Sequence, residues 1–374
     1  MSRKTIFLLA LCLTMPLATY AADDTTSSEA PVKVIADHML PLVSPRGSGD
    51  LPLYISLNGR SIDLTKPQPV VTRALLIFHG KLRDADVYND SGLHAIKTAG
   101  AEAVASTLLI TPQFLAKVDT DAFRLPANVL RWAPEGWMGG LNAIDATGAE
   151  TGLSSFDAID AILMRLADRK IFPNLKTVVL AGHSGGAQVV QRYAIVGHGG
   201  DVLIRAGVHV RYVIANPSSY LYFSPERPDL NSKTDFTFGP PAKTCYAKYD
   251  KWKYGINEPP PYVEGADFRD LEAQYLRRDV TYLLGTKDID PNHPALDKTC
   301  SGEVEGPYRF FRGKAYFRYI ELRHPELSTS SASQRLEYVP GVDHDGEKML
   351  NSVCGLNALF DAGSCTTRNF DPRP

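Results

Sequence analysis

The chain has 374 residues, 44% of them apolar and 22% charged, which suits a globular core and excludes a wholly disordered chain. Its 40 basic and 42 acidic side chains leave a net charge of −2, and no basic block stands out. Neither nucleic acid nor an anionic membrane surface is therefore expected as a partner.

The chain opens with Arg3 and Lys4, a mostly apolar run from Ile6 to Leu17, and Thr19-Tyr20-Ala21. A short basic start, an apolar middle and small residues at the −3 and −1 positions predict a secretory signal peptide over 1–21, cut after Ala21 or Ala22. The apolar run is too short for a membrane anchor. Cys12 does not read as a lipoprotein site, because Leu11 stands where a small residue is needed. The expectation is an exported protein, periplasmic or secreted. Residues 22–48, polar at their start, are expected to be a flexible N-terminal segment. Residues 49–374 are expected to form the folded domain.

Beyond the signal segment lie Cys245, Cys300, Cys354 and Cys365. Four cysteines in an exported chain favour two disulfides. Three pairings are possible; the favoured one joins Cys354 to Cys365, closing a short C-terminal loop, and Cys245 to Cys300, stapling a long insertion. No CxxC or paired Cys/His spacing supports a zinc site, and no metal is expected.

Short β-branched or leucine-rich runs recur at Leu53–Leu57, Ala74–Phe78, Thr107–Thr111, Thr177–Ala181, Val210–Ala215, Val280–Leu284 and Arg335–Val339. Several lack polar alternation, which suits strands buried on both faces of a parallel sheet. Helical patterns lie between them, most clearly at Ser155–Ala167 and Gly186–Ile195, with Ser154 or Ser155 as N-cap. Strand and helix in alternation predict a doubly wound α/β sheet. The rhythm breaks at about 216–275, a stretch rich in Pro, Tyr, Trp and Lys. Two readings stand for this aromatic-rich insertion: a packed surface excursion, or a cap over the strand ends that binds substrate.

The most informative stretch is Val178–Val190, in which an apolar strand ends at Gly182-His183-Ser184-Gly185-Gly186 and a helix begins. A nucleophile at a strand-to-helix bend needs glycine two residues before and two after it, because side chains there would collide with neighbouring backbone. Ser184 is thus the candidate nucleophile, and the Gly185 amide a candidate oxyanion donor. The phosphate-loop spacings GxGxxG and GxxxxGK[ST] are absent.

A serine hydroxyl needs a base, and the base an orienting acid. Strand Val280–Leu284 leads to Asp288 and Asp290; Asp288 is favoured, being nearer the strand end. Strand Leu336–Val339 leads through Pro340-Gly341 to His344, the candidate base. His183 is expected to pack beside the turn, or to touch substrate. His198, His209, His293 and His324 lack a strand-end setting. After strand Ala74–Phe78 come His79-Gly80, where the Lys81 amide is the second candidate oxyanion donor. Trp132 and Trp137, in the loop RWAPEGWMGGLNA, either line a substrate subsite or anchor that loop in the core, and Tyr220 is a further possible substrate contact.

His79-Gly80, Gly182-His183-Ser184-Gly185-Gly186, Asp288 and His344 occur in the order found in the α/β-hydrolase superfamily. Over about residues 50–350 the chain resembles its secreted serine esterase and lipase branch. The HGGG oxyanion motif is absent; HGKLR stands in its place. The resemblance implies a mostly parallel eight-stranded sheet with helices on both faces. It also implies hydrolysis of carboxylic esters through an acyl-enzyme on a Ser184–His344–Asp288 triad, with Lys81 and Gly185 as oxyanion amides and no cofactor. A small-molecule or polymeric ester is the expected substrate, and the oligomeric state is open. Two alternatives share the pattern: a peptidase or polymer depolymerase on the same triad, and a non-catalytic binding protein of the same fold.

Overall fold

Along each central strand the apolar side chains divide by turns between two cores, because successive residues point to opposite faces of a sheet. In the computed structural model, which describes residues 28–232, 235–241, 248–325 and 333–365, Leu75, Ile77, Val179, Ala181, Val213 and Leu283 face one core. Their neighbours Leu76, Phe78, Val178, Leu180, Ile214 and Tyr282 face the other. Burial on both faces explains the lack of polar alternation in the sequence. The predicted signal peptide and Cys245 lie outside the described residues.

The strands are β1 (His38–Ser44), β2 (Gly47–Leu57), β3 (Arg73–Phe78), β4 (Thr107–Pro112), β5 (Thr177–His183), β6 (His209–Ala215), β7 (Asp279–Gly285) and β8 (Gln334–Val339). They form one sheet in the order β1-β2-β4-β3-β5-β6-β7-β8. β1 pairs with β2, and β2 with β4, antiparallel; all other pairs are parallel. Helices α1 (Ala85–Ala99) and α6 (Val353–Phe360) cover one face. Helices α2 (Ser155–Leu166), α3 (Gly185–Val196), α4 (Phe268–Arg277) and α5 (Arg309–Arg323) cover the other. Ser154 caps α2 in a capping box with Asp157: the Asp157 amide donates to Ser154 Oγ at 3.0 Å and the Ser154 amide to Asp157 Oδ2 at 2.9 Å.

One expectation changes here. The N-terminal segment, expected to be flexible to residue 48, contains β1, and ahead of that strand the Val32 amide donates to buried Asp119 Oδ1 at 2.8 Å. The missed strand pairs along its whole length with the first half of β2, where the polar-edged LVSPRGSGDL masks the pattern. Between β6 and α4 the described residues include a two-residue hairpin rung, Arg227–Pro228 with Phe238–Gly239, and a short 3-10 turn at Pro261–Val263. Tyr220, Tyr222 and Tyr262 of this stretch are buried in the main core. Cys354 and Cys365 are joined by a disulfide.

The β5–α3 turn is fixed by steric exclusion. A Cβ on Gly182 would lie 2.3 Å from the Gly186 carbonyl, and one on Gly186 would lie 2.1 Å from the Phe78 carbonyl oxygen of β3. Both obstacles are backbone, so neither can rotate away. Gly186→Ala should lower the free energy of unfolding by about 3 kcal/mol, read as a reduced urea midpoint; an unchanged midpoint would show that β3 and α3 can part here.

Candidate active site

Ser184 sits between the last residue of β5 and the first of α3 with φ 57° and ψ −116°. This is a strained conformation for a residue bearing a Cβ. It is held by the turn glycines and by the Ser184 amide, which donates to the Ala215 carbonyl at the end of β6 at 3.0 Å. The side chain is thereby lifted above the carboxyl end of the sheet, where open α/β folds bind ligands.

The loops after β7 and β8 meet above it. The Lys287 amide donates to the Val342 carbonyl at 2.8 Å and the Gly341 amide to Thr286 Oγ1 at 2.9 Å. Asn216, the residue after β6, locks both loops to a third strand end. Its Oδ1 accepts from the Gly285 amide at 2.8 Å and its Nδ2 donates to the Asp343 carbonyl at 3.3 Å. This places His344 Nε2 2.9 Å from Ser184 Oγ and His344 Nδ1 2.7 Å from Asp288 Oδ2. A carboxylate only accepts, so Nδ1 carries the proton and Nε2 is left to accept from the serine hydroxyl. Of the two candidate acids, Asp288 makes this contact. Asp290 is exposed and accepts from the Asn292 amide within its own turn.

The HGK loop is oriented by His79. Phe114 N donates to His79 Nε2 at 2.9 Å, so Nδ1 bears the proton and donates to the Gly80 carbonyl at 2.8 Å. The Arg83 amide donates to the same oxygen at 3.1 Å. In a trans peptide the N–H points opposite to the C=O. The Lys81 N–H is thus turned away from His79, and a Cβ built on Gly185 would lie 3.0 Å from Lys81 N. The two candidate oxyanion amides are neighbours. His79 is fully buried, which drives its pKa down to about 4 and keeps it neutral.

The cleft above Ser184 has a volume of about 150 Å³. Met138, Gln188, Ser218 and Leu296 line it, with Lys81, Lys253 and Lys298 opposite Glu135 and Asp297. Lys253 Nζ lies 3.5 Å from Glu135. The sequence leaves two roles open for the tryptophans, and burial decides for the anchor: both are fully buried. Trp132 Nε1 donates to the Leu141 carbonyl and Trp137 Nε1 to the Pro134 carbonyl, each at 3.1 Å. Trp137 packs on His79 and Phe114 beneath the HGK loop. Tyr220, also expected as a substrate contact, is buried and stacked on Tyr316 of α5 at 4.5 Å between ring centroids. His183 packs beside the turn with its ring 4.5 Å from that of His344 and its Nδ1 3.0 Å from the Tyr88 hydroxyl. None of these four lines the cleft; Met138, next to Trp137, does.

Two residues near the candidate triad, Arg309 and Asn216, escape sequence reasoning, and a third, His293, is set aside by it. Arg309 Nη1 approaches Asp288 Oδ1 at 3.3 Å, Asn216 bridges the loops, and the His293 ring stands edge-on to His344 at 4.9 Å. Only His293 had a signal, since it shares the loop of the acid. Burial lowers the pKa of His344 well below 6.5, reinforced by Arg309, His293 and Lys81. Burial also raises that of Asp288 above 3.8, opposed first by Arg309. The imidazole is thus neutral and able to accept a proton. The grouping of Glu337 with Cys354 and Cys365 offers no thiolate to a metal, because the two sulfurs are bonded to each other.

No protein-family model and no curated protein matches the chain. Solved structures do. Poly(aspartic acid) hydrolase-1 from Sphingomonas sp. KT-1 is 22% identical over 86% of this chain and 96% of its own, with TM-score 0.52. LpqC, a poly(3-hydroxybutyrate) depolymerase from Bordetella parapertussis, is 20% identical over 90% and 95%, with TM-score 0.54. The chain has the α/β-hydrolase fold.

If His344 is the group whose neutral form carries activity, its lowered pKa moves the acid limb down. kcat/KM should stay level as pH falls through 6.5, the ordinary imidazole value, and decline only below it. A profile of kcat/KM between about pH 4 and 9 tests this; a limb at or above the ordinary value contradicts it.

Proposed function

We propose that the chain is an exported serine hydrolase that cleaves carboxylic esters through an acyl-enzyme on Ser184. The observation that carries the reading is the continuous chain from Ser184 Oγ through His344 to Asp288, at 2.9 and 2.7 Å. Ser184 Oγ attacks the ester carbonyl carbon while His344 Nε2 takes its proton. Asp288 holds the tautomer and stabilises the imidazolium. The Gly185 and Lys81 amides receive the developing oxyanion, each donor contributing about 3 kcal/mol. His344 returns the proton to the leaving alkoxide, and water repeats the sequence on the acyl-enzyme. Export is supported by the Cys354–Cys365 disulfide, since such bonds persist in oxidising compartments.

The lining of the cleft bears on the acyl group. Lys81, Lys253, Lys298, Glu135 and Asp297 edge it beside Met138 and Leu296, which favours a polar acyl unit over a long fatty chain. A polymer hydrolase is the second reading, and one finding favours it. The two structures named above are a poly(aspartic acid) hydrolase and a poly(3-hydroxybutyrate) depolymerase.

Ser184→Ala should keep the fold and cut hydrolysis of p-nitrophenyl acetate by several orders of magnitude. It should also abolish labelling by a fluorophosphonate; a variant with near wild-type turnover overturns the reading. Product analysis on polyesters, peptides and acylated polysaccharides separates the two substrate readings.

A further inference from the structure

The Asp288 carboxylate has two oxygens, and the structure gives each a different partner. Oδ2 faces His344 Nδ1 at 2.7 Å, and Oδ1 faces Arg309 Nη1 at 3.3 Å. Arg309 is the first residue of α5, and Phe310 beside it donates its amide to the Asp288 carbonyl at 3.1 Å. The start of one helix thus grips Asp288 by side chain and by backbone. Arg309 Nε donates to Ser218 Oγ at 2.8 Å, and Ser218 lines the cleft. The guanidinium is fully buried, and its Nη2 has no acceptor among the described residues.

A buried cation with an unpaired donor is a poor stabilising device: desolvation costs more than one ion pair returns. Its placement suits electrostatic work on the acid and base. We propose that Arg309 is a positioning residue of the hydrolase, holding Asp288 ionised and rotationally fixed so that His344 stays neutral and aimed at Ser184. This rests on the Ser184–His344–Asp288 reading.

The charged and titratable groups around the pair are few. Asp288 is faced by His344, Arg309, His183 and His293. His344 is faced by Arg309, His293 and Lys81 besides Asp288 and the His183 ring. Arg309 is faced by Asp288, Arg312 and Asp297. Burial brings Arg309 down to about 10, so it remains a cation at neutral pH. A fixed positive charge disfavours proton uptake by both partners of the dyad. Its removal eases protonation of both, so the acid limb must move up in pH.

The test compares pH profiles. Arg309→Gln should raise the acid limb of kcat/KM by about one pH unit, a tenfold loss at pH values below the limb, with KM little changed. Arg309→Lys, which keeps the charge, should return the limb towards wild type. An anchor that only supports the fold would lower kcat/KM equally at every pH and lower the melting temperature; a limb that stays put in a folded Arg309→Gln overturns the proposal. If that variant does not fold, Asp288→Asn and Asp288→Asn/Arg309→Gln decide, because the double variant removes both charges together. Equal kcat/KM in these two at a pH above the acid limb, where His344 is neutral in both, within about twofold, supports action through Asp288, and an additional loss in the double variant there overturns it. Full activity in Ser184→Ala would instead remove the triad reading, so the two failures are distinguishable.

Discussion

The molecule depends on the distance between two backbones. The Phe78 carbonyl at the end of β3 passes so close to Gly186 that no side chain fits between them. That contact lets α3 start directly above the sheet and forces Ser184 into a conformation of positive φ. Strain of this kind persists only where the surroundings over-determine it. Here they do: β3 closes on Gly186 at the start of α3, and the Ser184 amide is hydrogen-bonded across to β6.

The rest of the site is arranged by strand ends. β3 presents the HGK loop, β5 the serine, β7 the aspartate and β8 the histidine, and these four lie within one stretch of the sheet order. Asn216, at the end of β6, ties β7 to the histidine loop with one amide group. Buried arginines on α3 and α5 support the lining of the cleft. Arg192 donates to the Gln188 and Lys253 carbonyls, and Arg312 to the Ser218 and Asp297 carbonyls. Each therefore holds a cleft-lining residue by its backbone. Guanidinium groups suit this task, since each offers several donors in a fixed plane. Such a wall is polar and rigid, and it gives the cleft a different character from an apolar acyl tunnel.

The sequence leaves the roles of three aromatic residues open for a common reason. Trp132, Trp137 and Tyr220 are large, amphipathic and close in sequence to loops of the site, which is also true of aromatic residues that hold such loops down. Their indole and ring contacts with Leu141, Pro134, His79 and Tyr316 show anchoring. An aromatic in a loop near a nucleophile does not declare by type which way it faces. β1 was hidden for another reason. It is an antiparallel edge strand in which only Leu42 is fully buried and Pro41 interrupts the run, so it lacks the double burial that marks the inner strands.

What sequence alone determined is the inner sheet and the order of the candidate triad. Strands buried on both faces must be apolar throughout, and a bend this sharp must have glycine at two set positions; both demands are local and appear as letters. What only the tertiary structure decided is which groups surround those side chains. Arg309 meets Asp288 across a separation of 21 residues, and Asn216 meets Asp343 across 127. No local pattern records such pairs, because they exist only after the strands have been laid side by side and the loops beyond them have closed over the same point.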